Sequence, residues 1–187
     1  MTRTNHMTLV LTAFSLASCS YIQETLPGAT LSDSNMISVL HSLDEGEIDA
    51  ARLAQQKAAT PEVRAFAARV LKEHRELIDA NRHLAAELSV EPQAPVLASE
   101  IAKAHEDAMR TLRAASGPAF DRAYVAHEIR QHVRAFNFTQ AAAETEGTPE
   151  LKQELVRTGP DLLSHISAAR ALVRHLGDES PKSLASR

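Results

Sequence analysis

The stretch TPEVRAFAARVLKEHRELIDANRHLAAEL, residues 60–88, decides the fold. Thr60 is a good N-cap, Pro61 is preorganised for the first helical position, and Glu62 suits the positive end of a helix. Behind that start, Val63, Ala67, Val70, His74, Leu77, Asn81, Leu84 and Leu88 recur in alternating steps of four and three. This is a heptad stripe, so the segment is a helix that buries one face against other helices. Two polar residues, His74 and Asn81, interrupt that stripe. Asn81 reads as a register-fixing residue of the kind found in heptad cores.

The rest of the chain repeats the pattern. A first helix is expected from near Ser34 to Ala59, with Ile37, Leu40, Leu43, Glu47, Ala51 and Ala54 on one stripe. A shorter third helix, Val96 to Ala115, carries Leu97, Ile101, Ala108 and Leu112, and Ser116-Gly117-Pro118 ends it. A fourth, Ala119 to about Glu146, carries Val125, Glu128, His132, Ala135 and Thr139 and stops at Gly147. Thr148-Pro149-Glu150 repeats the Thr-Pro-Glu start. The last helix runs to about Leu176 with Leu155, Leu162, His165, Ala169 and Leu172 inward, and Gly159-Pro160 should kink or break it. In 187 residues, 44% are hydrophobic, only 4% aromatic and six are Gly, and no long run alternates β-branched with polar residues. The fold class is all-α: an antiparallel four-helix bundle with an additional shorter helix. The sequence leaves open whether that helix packs in the bundle or only bridges two hairpins.

Glu47, His74, His132 and His165 each replace an apolar residue in a stripe, and each lies on a different helix. Glu47 is 13 residues before Thr60 and His74 is 14 after it. At ~1.5 Å per residue both sit about 20 Å from that turn. His132 is 16 residues before Thr148 and His165 is 17 after it, so both lie about 24–26 Å from theirs. The four can therefore meet inside the bundle, and Glu128, four residues before His132, can join them. One carboxylate and three imidazoles suit one transition-metal ion, Zn, Fe, Mn or Cu, with Glu128 as a fifth or outer ligand. The competing reading is a buried Glu/His hydrogen-bond network in a non-catalytic envelope module that is structural or binds a partner. His105 and His127 read as solvated-face residues, His41, His83 and His175 as surface residues, and Glu73 and Glu76 as exposed. No nucleophile motif, phosphate-binding Gly loop or CxxC pair is present. Ferritin-like di-iron chemistry wants more carboxylates than these positions supply. The sequence leans away from an enzyme.

Before the bundle, Arg3 precedes an apolar run from Leu9 to Leu16, too short to span a bilayer and fitted to a secretory signal. Leu16-Ala17-Ser18-Cys19 resembles the lipobox of bacterial lipoproteins, which are cleaved before the Cys and lipidated on it; the competing reading is an ordinary signal peptide cut nearby, leaving a free thiol. Cys19 is the only cysteine, so the fold contains no internal disulfide. Residues 1–18 are expected to be a signal peptide, 19–33 the lipidated Cys and a tether, 34–177 the bundle, and 178–187 a loose tail. Ser20 after the Cys implies, by resemblance to Gram-negative lipoproteins, a lipid anchor in the outer membrane facing the periplasm. The membrane is then a partner through that anchor. The net charge of −4 gives no basic footprint for nucleic acid. No protein partner or oligomeric state is indicated.

The chain also resembles the bacterial secreted proteins of domain-of-unknown-function family 4142. The resemblance rests on Glu47-Ile48, Val63-Arg64-Ala65-Phe66-Ala67 followed by His74, Phe120-Asp121-Arg122-Ala123-Tyr124 followed by His132, and Leu162-Leu163-Ser164-His165 with Ala169. It spans about Ser34 to Leu176. It implies a ferritin-like helical fold and an extracytoplasmic compartment, and its pattern falls on Glu47, His74, His132 and His165. It implies no activity. Two positions depart from the pattern: Gln131 stands where an acidic residue usually precedes the His, and Gly159-Pro160 stands where Leu-Pro usually opens the last segment.

Overall fold

A computed structural model describes residues 31–145 and 147–178. The signal segment, Cys19, most of the tether and nearly all of the tail lie outside the described residues. Five helices follow one another: α1 (Asp33–Lys57), α2 (Pro61–Glu87), α3 (Val96–Ala114), α4 (Gly117–Ala143) and α5 (Pro149–Asp178). The all-α, ferritin-like class is what the structure has. No helix among the described residues is long and apolar enough to cross a membrane.

The helix starts follow local chemistry. Ser32, Thr60 and Thr148 each accept a backbone N–H from three residues on, at Asn35, Val63 and Leu151. Gly117 begins α4 with φ +54°, a left-handed conformation in which a side chain is strained. That glycine lets α4 start two residues earlier than expected, and α4 stops earlier too, at Ala143. The expected break at Gly159-Pro160 does not occur: α5 runs through Pro160 without interruption. Pro160 and Val156, whose carbonyl the proline leaves without its helical donor, are both exposed, so the side of the helix that lacks the bond faces solvent.

α1 pairs with α2 and α4 with α5 as antiparallel hairpins; α1 also packs on α4 and α2 on α5. α3 packs against α1 and α4, which settles its position: it lies outside the four-helix core and covers one side of it. It starts beside the first turn of α1, where Ser34 and Asn35 donate to the carbonyls of Glu91 and Gln93. It ends at the other end of α1, where Lys57 donates to the carbonyls of Leu112 and Arg113.

Two carboxylates tie the hairpins together at opposite ends. Asp121 of α4, fully buried, accepts from the backbone of Ala59 and Thr60 and from the Thr60 hydroxyl, each at 2.8 Å. Asp33 of α1 accepts from the backbone N–H of Thr148 at 3.3 Å. A Cβ on Gly147 would meet Asp33 Oδ1 at 3.1 Å and Met36 Cε at 3.2 Å, so a side chain there would press on the second tie.

The apolar core is in two parts. One gathers Ile48, Ala51, Phe66, Val70, Phe120 and Tyr124 toward the α1–α2 turn. The other gathers Met36, Ile37, Leu40, Leu84, Leu151 and Leu155 toward the α4–α5 turn. Between them lies a buried polar layer that includes Asp44, Glu47, His74, Asn81, Glu128, His132 and His165.

Asp121→Ala should lower stability by about 2–4 kcal/mol, because it orphans donors that are partly buried. For a domain of this size that is a fall in Tm of roughly 5–15 °C. Thermal melts of the variant beside the unchanged chain check it, and Asp121→Asn should lose less.

Candidate metal centre

The polar layer holds two separate groups of ligand-type side chains. His74 of α2, His132 of α4 and His165 of α5 each point one ring nitrogen to a common spot, and those three nitrogens lie within 4.8 Å of one another. His132 Nε2 is 3.3 Å from His74 Nε2 and 2.9 Å from His165 Nδ1. All three rings are nearly inaccessible, at 1–2% exposure.

The outward nitrogens fix the tautomers. His132 Nδ1 lies 2.9 Å from the Glu128 carbonyl, which can only accept, so Nδ1 carries the proton and Nε2 a lone pair. His165 Nε2 lies 2.6 Å from Glu73 Oε2. Burial alone would raise Glu73, but hydrogen bonding from Arg69 and the nearby His165 outweigh it and hold the carboxyl below its usual range. Glu73 is thus a carboxylate, His165 Nε2–H donates to it, and His165 Nδ1 carries a lone pair. His74 Nδ1 faces Asp44 Oδ1 at 2.8 Å, and Asn81 Nδ2 donates to Asp44 Oδ2 at 3.1 Å. Burial raises Asp44, against the pull of His74. With Asp44 accepting from both, the neutral form of His74 carries its proton on Nδ1 and leaves a lone pair on Nε2. Burial, then His74, then His165 hold His132 well below the usual histidine range. Burial and His74 lower His165 as well. With each outward nitrogen held by an acceptor, the three rings can aim inward lone pairs at one point, an arrangement that suits a cation between them.

Two spaces adjoin that point. A small cavity of about 30 Å³ is lined by His74, His132, Asp44, Glu47, Asn81 and Thr139, among others. It holds about one water-sized occupant. A larger cleft of about 130 Å³ is lined by His74, His165 and Glu73 and, at its outer side, by the exposed Glu76, Arg157 and Asp161.

Glu47 and Glu128 are buried, at 5% and 1% exposure, but they are not with the three imidazoles. They meet His127 instead, and the ligand atoms of that second group also lie within 4.8 Å of one another. Burial, then the neighbouring Glu128, push Glu47 well above the usual carboxylate range. Burial pushes Glu128 up to about 7, against Glu47, Tyr124 and His74. Burial, then Arg130 and His105, lower His127 to about 4.

The sequence expectations thus divide. The structure joins His74, His132 and His165, and it places Glu47 and Glu128 in an adjoining group. His127 is buried rather than solvated, because α3 covers that side of α4. His105 is half-buried, with Nδ1 sealed from water and without a hydrogen-bond partner. Glu73 is half-buried and bonded to His165, where an exposed residue was expected, whereas Glu76 is exposed. His83 and His175 are exposed as expected, and His41 is half-buried. Asp44 was missed altogether. Its signal was available: it lies four residues after Leu40 and seven before Ala51, on the same buried face.

Comparison with known proteins places the chain in a class first. The family model described as a domain of unknown function, DUF4142, matches residues 22–172, and the chain belongs to that family. No curated protein matches the sequence. Solved structures share the fold. One, from Streptomyces coelicolor and described as a secreted protein DUF305, superposes with a TM-score of 0.67 at 11% identity, covering 80% of this chain and 96% of its own. CopM in a silver-bound form and in a Cu(I)-bound form each give a TM-score of 0.62 at 17% identity, covering 77% of this chain and 96% of theirs.

The raised carboxyls carry a pH signature. A group whose pKa is higher in the folded state than in the unfolded chain costs stability as pH rises through that folded value. For Glu128 the window runs from the ordinary glutamate value up to about 7. The histidines act in the opposite sense below their ordinary value, so the carboxyl part must be isolated by difference. In metal-free chains, Glu47→Gln/Glu128→Gln should gain stability over the unchanged protein by a few kcal/mol more at pH 8 than at pH 5. Paired melts at the two pH values should show a gap in Tm that widens by roughly 5–10 °C.

Proposed function

We propose that this chain is a metal-binding protein of the cell envelope that holds one transition-metal ion through His74 Nε2, His132 Nε2 and His165 Nδ1. The observation that carries the reading is the set of three converging lone pairs, each fixed by a hydrogen bond on the far side of its ring. This is how protein metal sites orient their histidines. A metal with bonds of about 2.0–2.1 Å wants its nitrogens roughly 3.3–3.6 Å apart. The observed 2.9 and 3.3 Å fall at or a few tenths of an ångström below that range, and the third pair lies within 4.8 Å.

Reduced copper suits the centre best. Imidazoles bind a metal in their neutral form, so a monovalent ion leaves the least uncompensated charge in the buried site. Imidazole suits copper and zinc, whereas Mn(II) prefers carboxylates and water. The fold shared with CopM, solved with Cu(I) and with silver, supports the same choice. The acidic cleft at Glu73, Glu76 and Asp161 gives a cation a way in. No group in the site is placed as a nucleophile, so the reading is binding rather than catalysis. The signal-like segment ending at Cys19 and the secreted neighbour support a location outside the cytoplasm. Within that reading, Cys19 carries the lipid anchor and the outer membrane is the site of attachment.

Elemental analysis of the protein purified without chelator should find close to one equivalent of metal, and His74→Ala/His165→Ala should lose it. Glu73→Gln should keep the metal but weaken it by about 10–100-fold in competition with a chromophoric Cu(I) chelator, because Glu73 orients His165. A metal-free protein that gains no thermal stability from added Cu(I), Zn, Fe or Mn would instead assign the imidazoles to a structural hydrogen-bond network.

A further inference from the structure

The second group in the polar layer has its own chemistry. Glu47 comes from α1, His127 and Glu128 from α4, and all three are at least 95% buried. Glu47 Oε2, His127 Nε2 and both Glu128 oxygens are sealed from water without a hydrogen-bond partner. The Tyr124 hydroxyl, one turn before Glu128, is also sealed and unpartnered. Elsewhere in the layer such atoms are satisfied: Asp44 by His74 and Asn81, His132 by the Glu128 carbonyl. Natural cores keep few buried polar atoms without partners, and here they are concentrated at one spot. The spot has two carboxylates, one imidazole and no Lys or Arg among the residues that form it.

We propose that Glu47, Glu128 and His127 form a second metal site, separate from the three histidines, that takes a divalent first-row cation. Two carboxylates balance the charge of a dication, and an oxygen-rich set with one imidazole suits Mn(II), Fe(II) or Zn(II) rather than Cu(I). The unpartnered atoms are then ligands, and Tyr124 can donate to a ligating carboxylate as an outer-sphere partner. The two centres adjoin through α4, since Glu128 Oε2 lies 3.5 Å from His132 Nδ1. The proposal stands whether or not the three histidines bind metal, because it shares no ligand with them. Gly46, the neighbour of Glu47, lets α3 close over this side: a Cβ there would meet His105 Nδ1 at 3.2 Å.

The test uses the full chain and Mn(II), followed by loss of the free-ion signal in electron paramagnetic resonance. The expected result is about one Mn(II) per chain for the unchanged protein and for His165→Gln. Glu47→Gln and His127→Gln should bind at least about tenfold more weakly, and His127→Glu, which returns an oxygen donor, should retain the ion. Circular dichroism checks that each variant is folded. Should the Gln variants unfold, the unchanged chain preloaded with Cu(I) decides: uptake of one further Mn(II) supports the second site, and none overturns it. A free Mn(II) signal left intact by about 1 mM of the unchanged protein, or binding that survives in folded Glu47→Gln, also overturns it.

Discussion

Three imidazoles packed nitrogen to nitrogen in a dry core set the terms for this bundle. Each ring commits its outward nitrogen to an acceptor, which leaves the inward nitrogens facing one another. The surroundings are organised around that commitment. Asp44 is itself held by Asn81, Glu73 by Arg69, and the Glu128 carbonyl belongs to the helix ladder. The apolar clusters above and below the layer keep water from competing for these bonds. A buried polar layer costs stability wherever it is incompletely satisfied. Here the side-chain atoms left without a partner gather in and beside the group around Glu47.

The layer also explains why a helix outside the four-helix core matters. Without α3, the side of α4 that bears His127 would face solvent, and its imidazole would be one more surface histidine. With α3 packed on α1 and α4, that side becomes interior, and the chain buries two carboxylates and an imidazole it could otherwise have hydrated. The result is two chemically unlike environments within one layer. One is neutral and nitrogen-only; the other is anionic and oxygen-rich.

How much of this the sequence disclosed depends on which coordinate is asked for. Height along the bundle follows from counting residues to a tight turn, and the counts to Thr60 and Thr148 brought the right helices to the right level. Direction around the bundle axis does not follow from counting. That is why Glu47 was grouped with the three histidines, although its carboxylate turns to Glu128. Asp44 was legible from its spacing to Leu40 and Ala51, but it sits at the margin of a stripe whose centre drew the reading. The burial of His127 was not legible, because it depends on a tertiary contact with α3 rather than on any local period. Pro160 shows a local rule yielding to its setting: the missing hydrogen bond falls on the exposed side of the helix.

The ties at Asp121 and Asp33 work at a distance. Each joins one hairpin's turn to the other hairpin, and they do so at opposite ends of the molecule, so neither hairpin can slide along the other without breaking one of them. A slip of a single residue would move His74 by about 1.5 Å relative to His132 and His165. A metal–nitrogen bond tolerates only about 0.2 Å. The bundle therefore behaves like a gauge block clamped at both ends, whose accuracy is delivered at the middle, where no clamp is present.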